Sequence, residues 1–348
     1  MIKNRKTKSF FILGLSLIMS LGLISCGNKK ADFQPISKSD ILLDTPCKVT
    51  IYDDVPETVL DKAFDVLKEV DSRMNASSET SEISEVNRNS GKGYVKVSDD
   101  TFYVIQKGKS YGELTKGVFD ISIGPLVKLW GINTDHARVP AKLEIDGKMP
   151  LINYENVLLK EDTKEVMLKN PGMELDLGGI AKGYAADAVA EALRANGVEH
   201  AIIDLGGNIL TLGSKVNGDD WKIGIQNPNT ERGQYLATIE VVNKTIVTSG
   251  IYERYYTAPD GKRYHHILDT STGYPVENNL ASVTIVTDKS IDGDALAKSF
   301  CMGIDKGKEF VKSQGAEAIF VTKDSKVYLT DGLKGNFKLN DKSFTLED

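Results

Sequence analysis

Two adjacent histidines, His265 and His266, stand in a strand-like segment that is followed by Asp269 and by the turn Thr272-Gly273. Neighbouring side chains of a strand face opposite sides, so only one of the two imidazoles is expected to point into a given site. A histidine titrates near neutral pH and therefore suits the removal of a proton from an attacking hydroxyl group. The alternative is a histidine that makes structural hydrogen bonds only.

Two aspartates, Asp292 and Asp294, stand at the start of a helix that is predicted to run to about Met302. An aspartate at a helix start commonly caps the free backbone N–H groups, and this role is sufficient for Asp292. Asp294 lies inside the first turn, and its carboxylate oxygens suit a hard cation such as Mg²⁺. The sequence therefore predicts a cap at Asp292 and a candidate metal ligand at Asp294.

A glycine-rich stretch, Asp176-Leu-Gly-Gly-Ile-Ala-Lys-Gly-Tyr-Ala-Ala-Asp187, is the third candidate. It predicts a short strand, a tight turn at Gly178-Gly179 and an Ala-rich helix that ends near Gly197. Glycines allow the backbone to approach a ligand, and a helix start offers free N–H groups to an anion such as phosphate. The spacing is neither G-x-G-x-x-G nor the Walker pattern, so a purely structural turn is the alternative.

Helices and strands must position these residues. The order of the predicted elements indicates an α+β fold, with mostly antiparallel sheets and interspersed helices in one compact domain. Apolar residues at helical spacing predict helices after Pro56 and after Ser98, a plausible N-cap. Asp120 interrupts an apolar run, so its carboxylate must be paired, hydrogen-bonded or exposed to a ligand. The predicted strands include residues 49–52, 201–205, 221–226, 235–242, 245–248, 281–286, 318–322 and 326–329, with a hairpin at 156–168.

The N-terminus is typical of an export signal, because basic residues precede an apolar run at 10–24 that is shorter than the roughly 20 residues of a membrane span. The junction Leu-Ile-Ser-Cys26 resembles a bacterial lipobox, which implies cleavage before Cys26 and a diacylglycerol on its thiol. The alternative is an ordinary buried cysteine. We predict a lipoprotein signal peptide at 1–25, a lipidated Cys26 with a polar tether at 26–40, and a domain at 41–348.

The charge balance argues against a nucleic-acid partner. The chain carries a net charge of −6, and loss of a signal with four basic and no acidic residues leaves −10. The remaining cysteines, Cys47 and Cys301, are too few for a disulfide framework and stand in no metal-ligand spacing. Two buried free thiols are predicted, with a disulfide between them as the alternative.

Six motifs in order, over about residues 40–330, resemble the FAD:protein FMN transferase lipoproteins, also called ApbE-type flavin transferases. Each motif alone is weak, whereas six in the same order are highly specific, and the lipobox agrees with this family. The motifs are Phe119-Asp-Ile-Ser-Ile-Gly-Pro, Asp176-Leu-Gly-Gly-Ile-Ala-Lys-Gly-Tyr-Ala-Ala-Asp, Asp204-Leu-Gly-Gly-Asn, Thr248-Ser-Gly, His266-Ile-Leu-Asp-x-x-Thr-Gly-Tyr-Pro and Asp294-Ala-Leu-Ala.

The resemblance implies an enzyme that binds FAD and a divalent metal such as Mg²⁺, transfers FMN to a Ser or Thr hydroxyl of an acceptor protein and releases AMP. Its metal would be held by the Gly179 carbonyl and the Asp294 carboxylate, and His266 would be the general base. A cation suits cleavage of a pyrophosphate, because it neutralises charge on the phosphoryl oxygens. The implied FAD contacts are Phe119, Asp120, Asp176, Lys182, His266 and Ile267.

Two departures from the family pattern leave alternatives open. The family often has a flavin-stacking tyrosine after its first helix, where this chain has Asn75-Ala-Ser-Ser78. The family usually has Ser or Thr four residues after the metal-binding aspartate, where this chain has Lys298. Lys298 then points to solvent, or replaces one metal contact by pairing with Asp294 and the FAD pyrophosphate, or marks a degenerate site. We favour the replacement.

Three functions are therefore compared: the transferase, an FAD pyrophosphatase that yields FMN and AMP, and a flavin-binding lipoprotein without turnover. The transferase is the leading interpretation. By resemblance, its acceptor is expected to be a membrane-associated redox protein. The lipid anchor at Cys26 predicts a place in the bacterial cell envelope, outside the cytoplasm.

Overall fold

A nine-stranded sheet runs through the computed structural model, which describes residues 34–347. In chain order the strands are β1 (Ile36–Leu42), β2 (Thr45–Ile51), β3 (Val95–Lys96), β4 (Val157–Lys160), β5 (Glu165–Leu168), β6 (Ala201–Leu205), β7 (Asn208–Leu212), β8 (Trp221–Gln226), β9 (Tyr235–Val241), β10 (Thr245–Gly250), β11 (Tyr255–Thr257), β12 (Arg263–His265), β13 (Leu280–Thr287), β14 (Glu317–Thr322), β15 (Lys326–Leu329), β16 (Phe337–Leu339) and β17 (Thr345–Glu347). In chain order the α-helices are α1 (Thr58–Met74), α2 (Glu82–Arg88), α3 (Asp99–Thr115), α4 (Gly124–Trp130), α5 (Lys142–Lys148), α6 (Ala181–Ala195), α7 (Ser290–Leu296) and α8 (Ile304–Ser313).

The large sheet has the strand order β1-β2-β6-β7-β10-β13-β14-β15-β17. Each neighbouring pair is antiparallel except β15 and β17, which are parallel. Three smaller sheets are formed by β11-β12, by β16-β9-β8 and by β3-β5-β4. The predicted α+β class with mostly antiparallel strands is confirmed.

Strand β13 lies in the middle of the large sheet, between β10 and β14, and all of its residues except the last are buried. Val283 and Ile285 join the larger core cluster, on the side of α6 and α7. Val286 joins a second cluster on the side of β8 and β9. A strand that is covered on both faces needs a nearly continuous apolar sequence, which explains the composition of β13.

Helices α6 and α7 pack closely because the facing residues of α6 are small. A Cβ atom on Gly183 would lie 2.2 Å from the carbonyl oxygen of Ser290, so only glycine allows this approach. The Asp187 carboxylate accepts hydrogen bonds from the backbone N–H groups of Ser290 (2.9 Å) and Ile291 (3.0 Å). A side chain of α6 therefore caps the first turn of α7.

Helices α4 and α5 pack against the segment that follows the two histidines. Trp130 is fully buried with Leu126, Ile145 and Leu268 in a third apolar cluster. Its indole N–H donates to the carbonyl of Gly273 at 2.8 Å. Helix α4 thus fixes the segment after His266 at one backbone position, the Gly273 carbonyl.

Three local predictions differ from the structure. Residues before Asp176 form only one isolated parallel bridge, between Ile123 and Glu174, rather than a strand. Helix α7 begins at Ser290, and Asp292 does not cap it. Asp292 instead accepts hydrogen bonds from Lys107 and Tyr111 of α3.

The large sheet begins at Ile36, so the last residues of the predicted tether at 26–40 belong to β1. The predicted signal peptide at 1–25 and Cys26 lie outside the described residues. No helix within residues 34–347 has the length and apolar character that crossing a membrane requires.

Candidate active site

His266 directly follows β12 and is held by the backbone of Arg254. The His266 N–H donates to the Arg254 carbonyl at 3.1 Å, and the His266 Nδ1 atom lies 3.2 Å from the same oxygen. A carbonyl can only accept, so this geometry assigns the proton to Nδ1 and leaves a lone pair on Nε2. Burial, together with the charges of Arg254 and Lys298, lowers the pKa of His266 to about 3. The imidazole is therefore neutral at neutral pH, with an unprotonated Nε2 atom.

His265 makes different contacts, as the alternation of a strand predicts. Its Nε2 atom lies 3.0 Å from the carbonyl of Val276, and its ring meets Phe300 edge-on. Its Nδ1 atom is buried and has no hydrogen-bond partner among the described residues. Burial lowers the pKa of His265 to about 4. His265 lines a cavity of about 1150 Å³ that His266 does not border.

Asp176 lies among three cations at the glycine turn. Its Oδ1 atom accepts the N–H of Gly178 at 2.8 Å. Burial raises the pKa of this carboxyl, and the positive charges of Lys298, Lys182 and Arg254 oppose that rise. The predicted residues Asp176, Lys182 and His266 are thus brought into one electrostatic neighbourhood.

Asp294 is 7% exposed and joins α7 to the start of α6. Its Oδ2 atom accepts the N–H of Gly183 at 2.6 Å, and its Oδ1 atom accepts from the Asn208 amide at 3.2 Å. The Lys182 ammonium lies 3.8 Å from the Asp294 Oδ1 atom. The ammonium within ion-pair distance of Asp294 is therefore Lys182, and no ion pair between Lys298 and Asp294 is present among residues 34–347.

The oxygen atoms near Asp294 suit a cation that is shared with a phosphate ligand. Within residues 34–347 no group of three or more His, Cys, Asp and Glu side chains is placed to hold a metal. Gly183 donates to Asp294, and no N–H of the described residues donates to the Gly179 carbonyl. One carboxylate with lone pairs to spare and one free carbonyl fit Mg²⁺, which commonly completes its shell with water and substrate phosphates.

Asp120 is buried and its carboxylate is satisfied by protein groups. Oδ1 accepts from the N–H (2.8 Å) and the hydroxyl (2.7 Å) of Ser122, and Oδ2 accepts the Tyr154 N–H at 2.9 Å. Burial raises the pKa of this carboxyl. Asp120 and Asp269 both line a cavity of about 430 Å³, which places the two segments at one site. The Thr270 hydroxyl fixes them together by donating to the Gly117 carbonyl at 2.7 Å.

Phe119 and Ile267 are 3% and 4% exposed, so their side chains offer little surface to a ligand. The Phe119 ring packs against the glycine turn, where a Cβ on Gly179 would lie 3.5 Å from its Cε2 atom. The two side chains are therefore part of the core beside the glycine turn and the histidine segment.

The loop with the missing tyrosine is closed by its own hydrogen bonds. The Asn75 side chain accepts the Ser77 N–H at 2.9 Å and donates to the Asp71 carboxylate at 3.2 Å. Asn75 therefore organises the turn after α1. Both cysteines of the described region, Cys47 and Cys301, are free thiols as predicted, but only Cys47 is buried and Cys301 is half-buried.

Sequence reasoning missed Arg254 and gave Asn208 no role of its own. Arg254 follows β10 in a tyrosine-rich turn, and its charge acts on both Asp176 and His266. The only sequence signal was a cation twelve residues before the candidate base. Asn208 ends the motif Asp204-Leu-Gly-Gly-Asn, and its amide bridges Asp294 and the Ser290 hydroxyl.

Comparisons with known proteins identify the family of this chain. Residues 43–320 match the model of the ApbE family. The FAD:protein FMN transferase of Klebsiella pneumoniae (strain 342) is 36% identical over 91% of this chain and 99% of its own length. The FAD:protein FMN transferase of Treponema pallidum (strain Nichols) is 30% identical over 97% of this chain and 98% of its own length.

Solved structures show the same fold. The crystal structure of the ApbE protein from Thermotoga maritima superposes with a TM-score of 0.80 and 30% identity, over 87% of this chain and 99% of that one. The flavin transferase ApbE from Vibrio cholerae superposes with a TM-score of 0.77 and 28% identity, over 87% of this chain and 99% of that one.

Proposed function

The chain belongs to the ApbE family and is an FAD:protein FMN transferase, and we propose that His266 is the general base of the transfer. The observation that carries this proposal is the contact between His266 Nδ1 and the Arg254 carbonyl, which leaves Nε2 unprotonated. Because the pKa of His266 is low, the imidazole is in its basic form throughout the physiological range.

The proposed reaction is a substitution at the phosphorus of the FMN half of FAD. The oxygen of the acceptor hydroxyl forms a bond to this phosphorus, and the bond from the phosphorus to the bridging oxygen of the pyrophosphate breaks. AMP leaves with that oxygen, and the hydroxyl proton moves to His266 Nε2. The acceptor hydroxyl is proposed to be that of a Ser or Thr.

FAD is proposed to lie along the glycine turn, from the cavity beside Asp120 towards His266. The Lys182 ammonium and the positive end of the α6 dipole favour the pyrophosphate there. Asp176 closes the other side of the turn. The walls are formed by the segments of Phe119 and Ile267.

Mg²⁺ is proposed to be held by the Asp294 carboxylate and the Gly179 carbonyl. A bound cation neutralises the negative charge that develops on the phosphoryl oxygens and the leaving AMP. Lys298 carries no ion pair among the described residues and acts on Asp176 and His266 instead. We therefore propose that Lys298 faces the pyrophosphate rather than Asp294.

The mature chain is proposed to be anchored through a lipid on Cys26, outside the cytoplasm, where it meets a membrane-associated redox protein as acceptor. Mass spectrometry of the native N-terminus tests the anchor. A diacylglyceryl Cys26 supports it, and a chain that still begins at Met1 contradicts it.

The transfer itself is tested by incubating the purified protein with FAD, Mg²⁺ and candidate acceptor proteins. In-gel flavin fluorescence on an acceptor, with one AMP released for each flavin attached, is the expected result. FMN and AMP in equal amounts without a labelled acceptor would indicate a hydrolase, and unchanged bound FAD would indicate a binding protein.

A further inference from the structure

Arg254 is a half-buried residue, and most of the donors of its guanidinium group are unused. A guanidinium has five N–H donors, and a single side-chain hydrogen bond is made here, from Nη2 to the Asp44 carbonyl at 3.0 Å. Within residues 34–347 no carboxylate pairs with Arg254, although surface cations such as Lys312 and Arg138 do find such partners. A cation that is partly withdrawn from water and left without an anion suggests that a ligand supplies one.

The surroundings of Arg254 are those of the transfer site. Its charge and that of Lys298 both act on Asp176, and both lower the pKa of His266. Lys182, on the other side of the glycine turn, is held near Asp294. Three cations thus face two carboxylates, and the excess positive charge suits a pyrophosphate, which brings negative charge of its own.

We propose that Arg254 is a catalytic residue that binds the pyrophosphate of FAD through its guanidinium while its own carbonyl fixes the proton of His266. This inference rests on the proposed role of His266 as the base. The planar fork of a guanidinium matches two phosphate oxygens at once, which a lysine ammonium does not. One residue therefore aligns the phosphorus and the base with each other.

The guanidinium stabilises the negative charge that develops during the transfer step. When the acceptor oxygen bonds to the phosphorus and the bridging oxygen leaves with AMP, negative charge is spread over the phosphoryl oxygens. A donor group already held beside them stabilises this charge without reorganisation. The contact is made with FAD but not with riboflavin, which has no phosphate.

The binding test compares FAD with riboflavin, each measured by flavin fluorescence, for wild type, Arg254→Gln and Arg254→Lys. We expect Arg254→Gln to weaken FAD binding about 10- to 100-fold, as a lost charge-assisted contact does, with riboflavin affinity unchanged. Arg254→Lys should recover part of the loss. The control is Arg263→Gln, an exposed arginine over the Tyr255 ring that should change neither affinity.

The same variants have a second readout in the pH dependence of single-turnover FMN transfer. The cationic side chains whose charges act on His266 are those of Arg254 and Lys298, and the titratable neighbour His265 adds a smaller effect. Removing the Arg254 charge should raise the pKa of His266, so the acid limb of the rate profile moves to higher pH in Arg254→Gln and less in Arg254→Lys.

An Arg254→Gln enzyme with wild-type FAD affinity and an unmoved acid limb would overturn the inference, as would equal losses for FAD and riboflavin. If Arg254→Gln does not fold, Arg254→Lys alone decides: unchanged FAD affinity and rate contradict the bidentate contact. Loss of transfer in His266→Ala together with full transfer in Arg254→Gln would leave the proposed base standing and remove only the role of Arg254.

Discussion

Two neighbouring regions of the site differ in how completely their polar groups are hydrogen-bonded within the protein. In the frame formed by α6 and α7, Gly183, Asp187 and Asp294 exchange hydrogen bonds that hold the two helices together. In the histidine hairpin, residues 254–276, the Arg254 guanidinium makes one hydrogen bond and His265 Nδ1 makes none. The difference teaches that the polar groups of the frame are satisfied within the fold, whereas several polar groups of the hairpin have no protein partner among residues 34–347.

The largest expected effect is on the hairpin side. His266→Ala should lower the rate of FMN transfer by about 10²- to 10⁴-fold, because a positioned base acts on the acceptor hydroxyl. FAD affinity should stay within about tenfold of wild type, since the base contributes little to ground-state binding. Stopped-flow fluorescence and in-gel labelling measure the two quantities. A transfer rate equal to that of wild type would contradict the assignment, and His265→Ala should be much milder.

The second effect is on the frame side and concerns folding. Gly183→Ala should lower the free energy of unfolding by about 3 kcal/mol, because its Cβ would overlap the Ser290 carbonyl. Urea unfolding measures the loss. The matched control is Gly147→Ala in α5, where the new Cβ meets nothing within 4 Å. That variant should be slightly more stable than wild type. Equal changes in unfolding free energy at the two glycines would contradict the expected overlap at Gly183.

The third effect is a pH dependence of stability that belongs to the hairpin. The pKa of folded His265 is about 4, below the usual 6.5, so the unfolded chain binds its proton first as pH falls. Its contribution is complete above pH 6.5 and is lost as pH falls towards 4. Between pH 7 and 4.5 wild type should lose about 2 kcal/mol more than His265→Gln. Parallel stability curves for the two proteins would show that His265 titrates normally.

The smallest expected effect comes from removing the indole N–H donors of the two tryptophans, Trp130 and Trp221. Trp130→Phe removes the donor to the Gly273 carbonyl and should cost about 1 kcal/mol of unfolding free energy. Trp221→Phe removes a similar bond to Gly213, far along the chain from the hairpin, and should cost about the same. Because Trp130 braces the hairpin, only its variant should also slow FMN transfer, by severalfold. Equal rates of FMN transfer in the two variants would show that the Trp130 hydrogen bond is not needed to position the hairpin.

The sequence predicted those parts of the fold whose causes are local. Strands β8 and β9 follow from alternating apolar residues, and the Ser98 cap follows from a side chain that bonds to Thr101 three residues on. The start of α7 was predicted at Asp292, two residues late. Its cap is Asp187, which is more than 100 residues away in the chain.

Site residues could be predicted from the sequence only where they lie in a recognisable motif. His266 and Asp294 lie in recognisable motifs, so resemblance identified them. The partners that tune them, Arg254 and Asn208, come from other strands and turns, and their proximity is a product of the tertiary fold. The same holds for Lys182, which lies beside Asp294 because α6 and α7 pack at Gly183.

The contact between Gly183 and Asp294 has a spectroscopic consequence. An amide that donates to a carboxylate at 2.6 Å has its proton strongly deshielded, so the Gly183 resonance is expected far downfield in a proton–nitrogen NMR spectrum. Any cation or proton that engages the Asp294 oxygens withdraws electron density from this bond and moves the resonance upfield. The Gly183 backbone amide would then report the occupancy of the Asp294 carboxylate during titration with Mg²⁺.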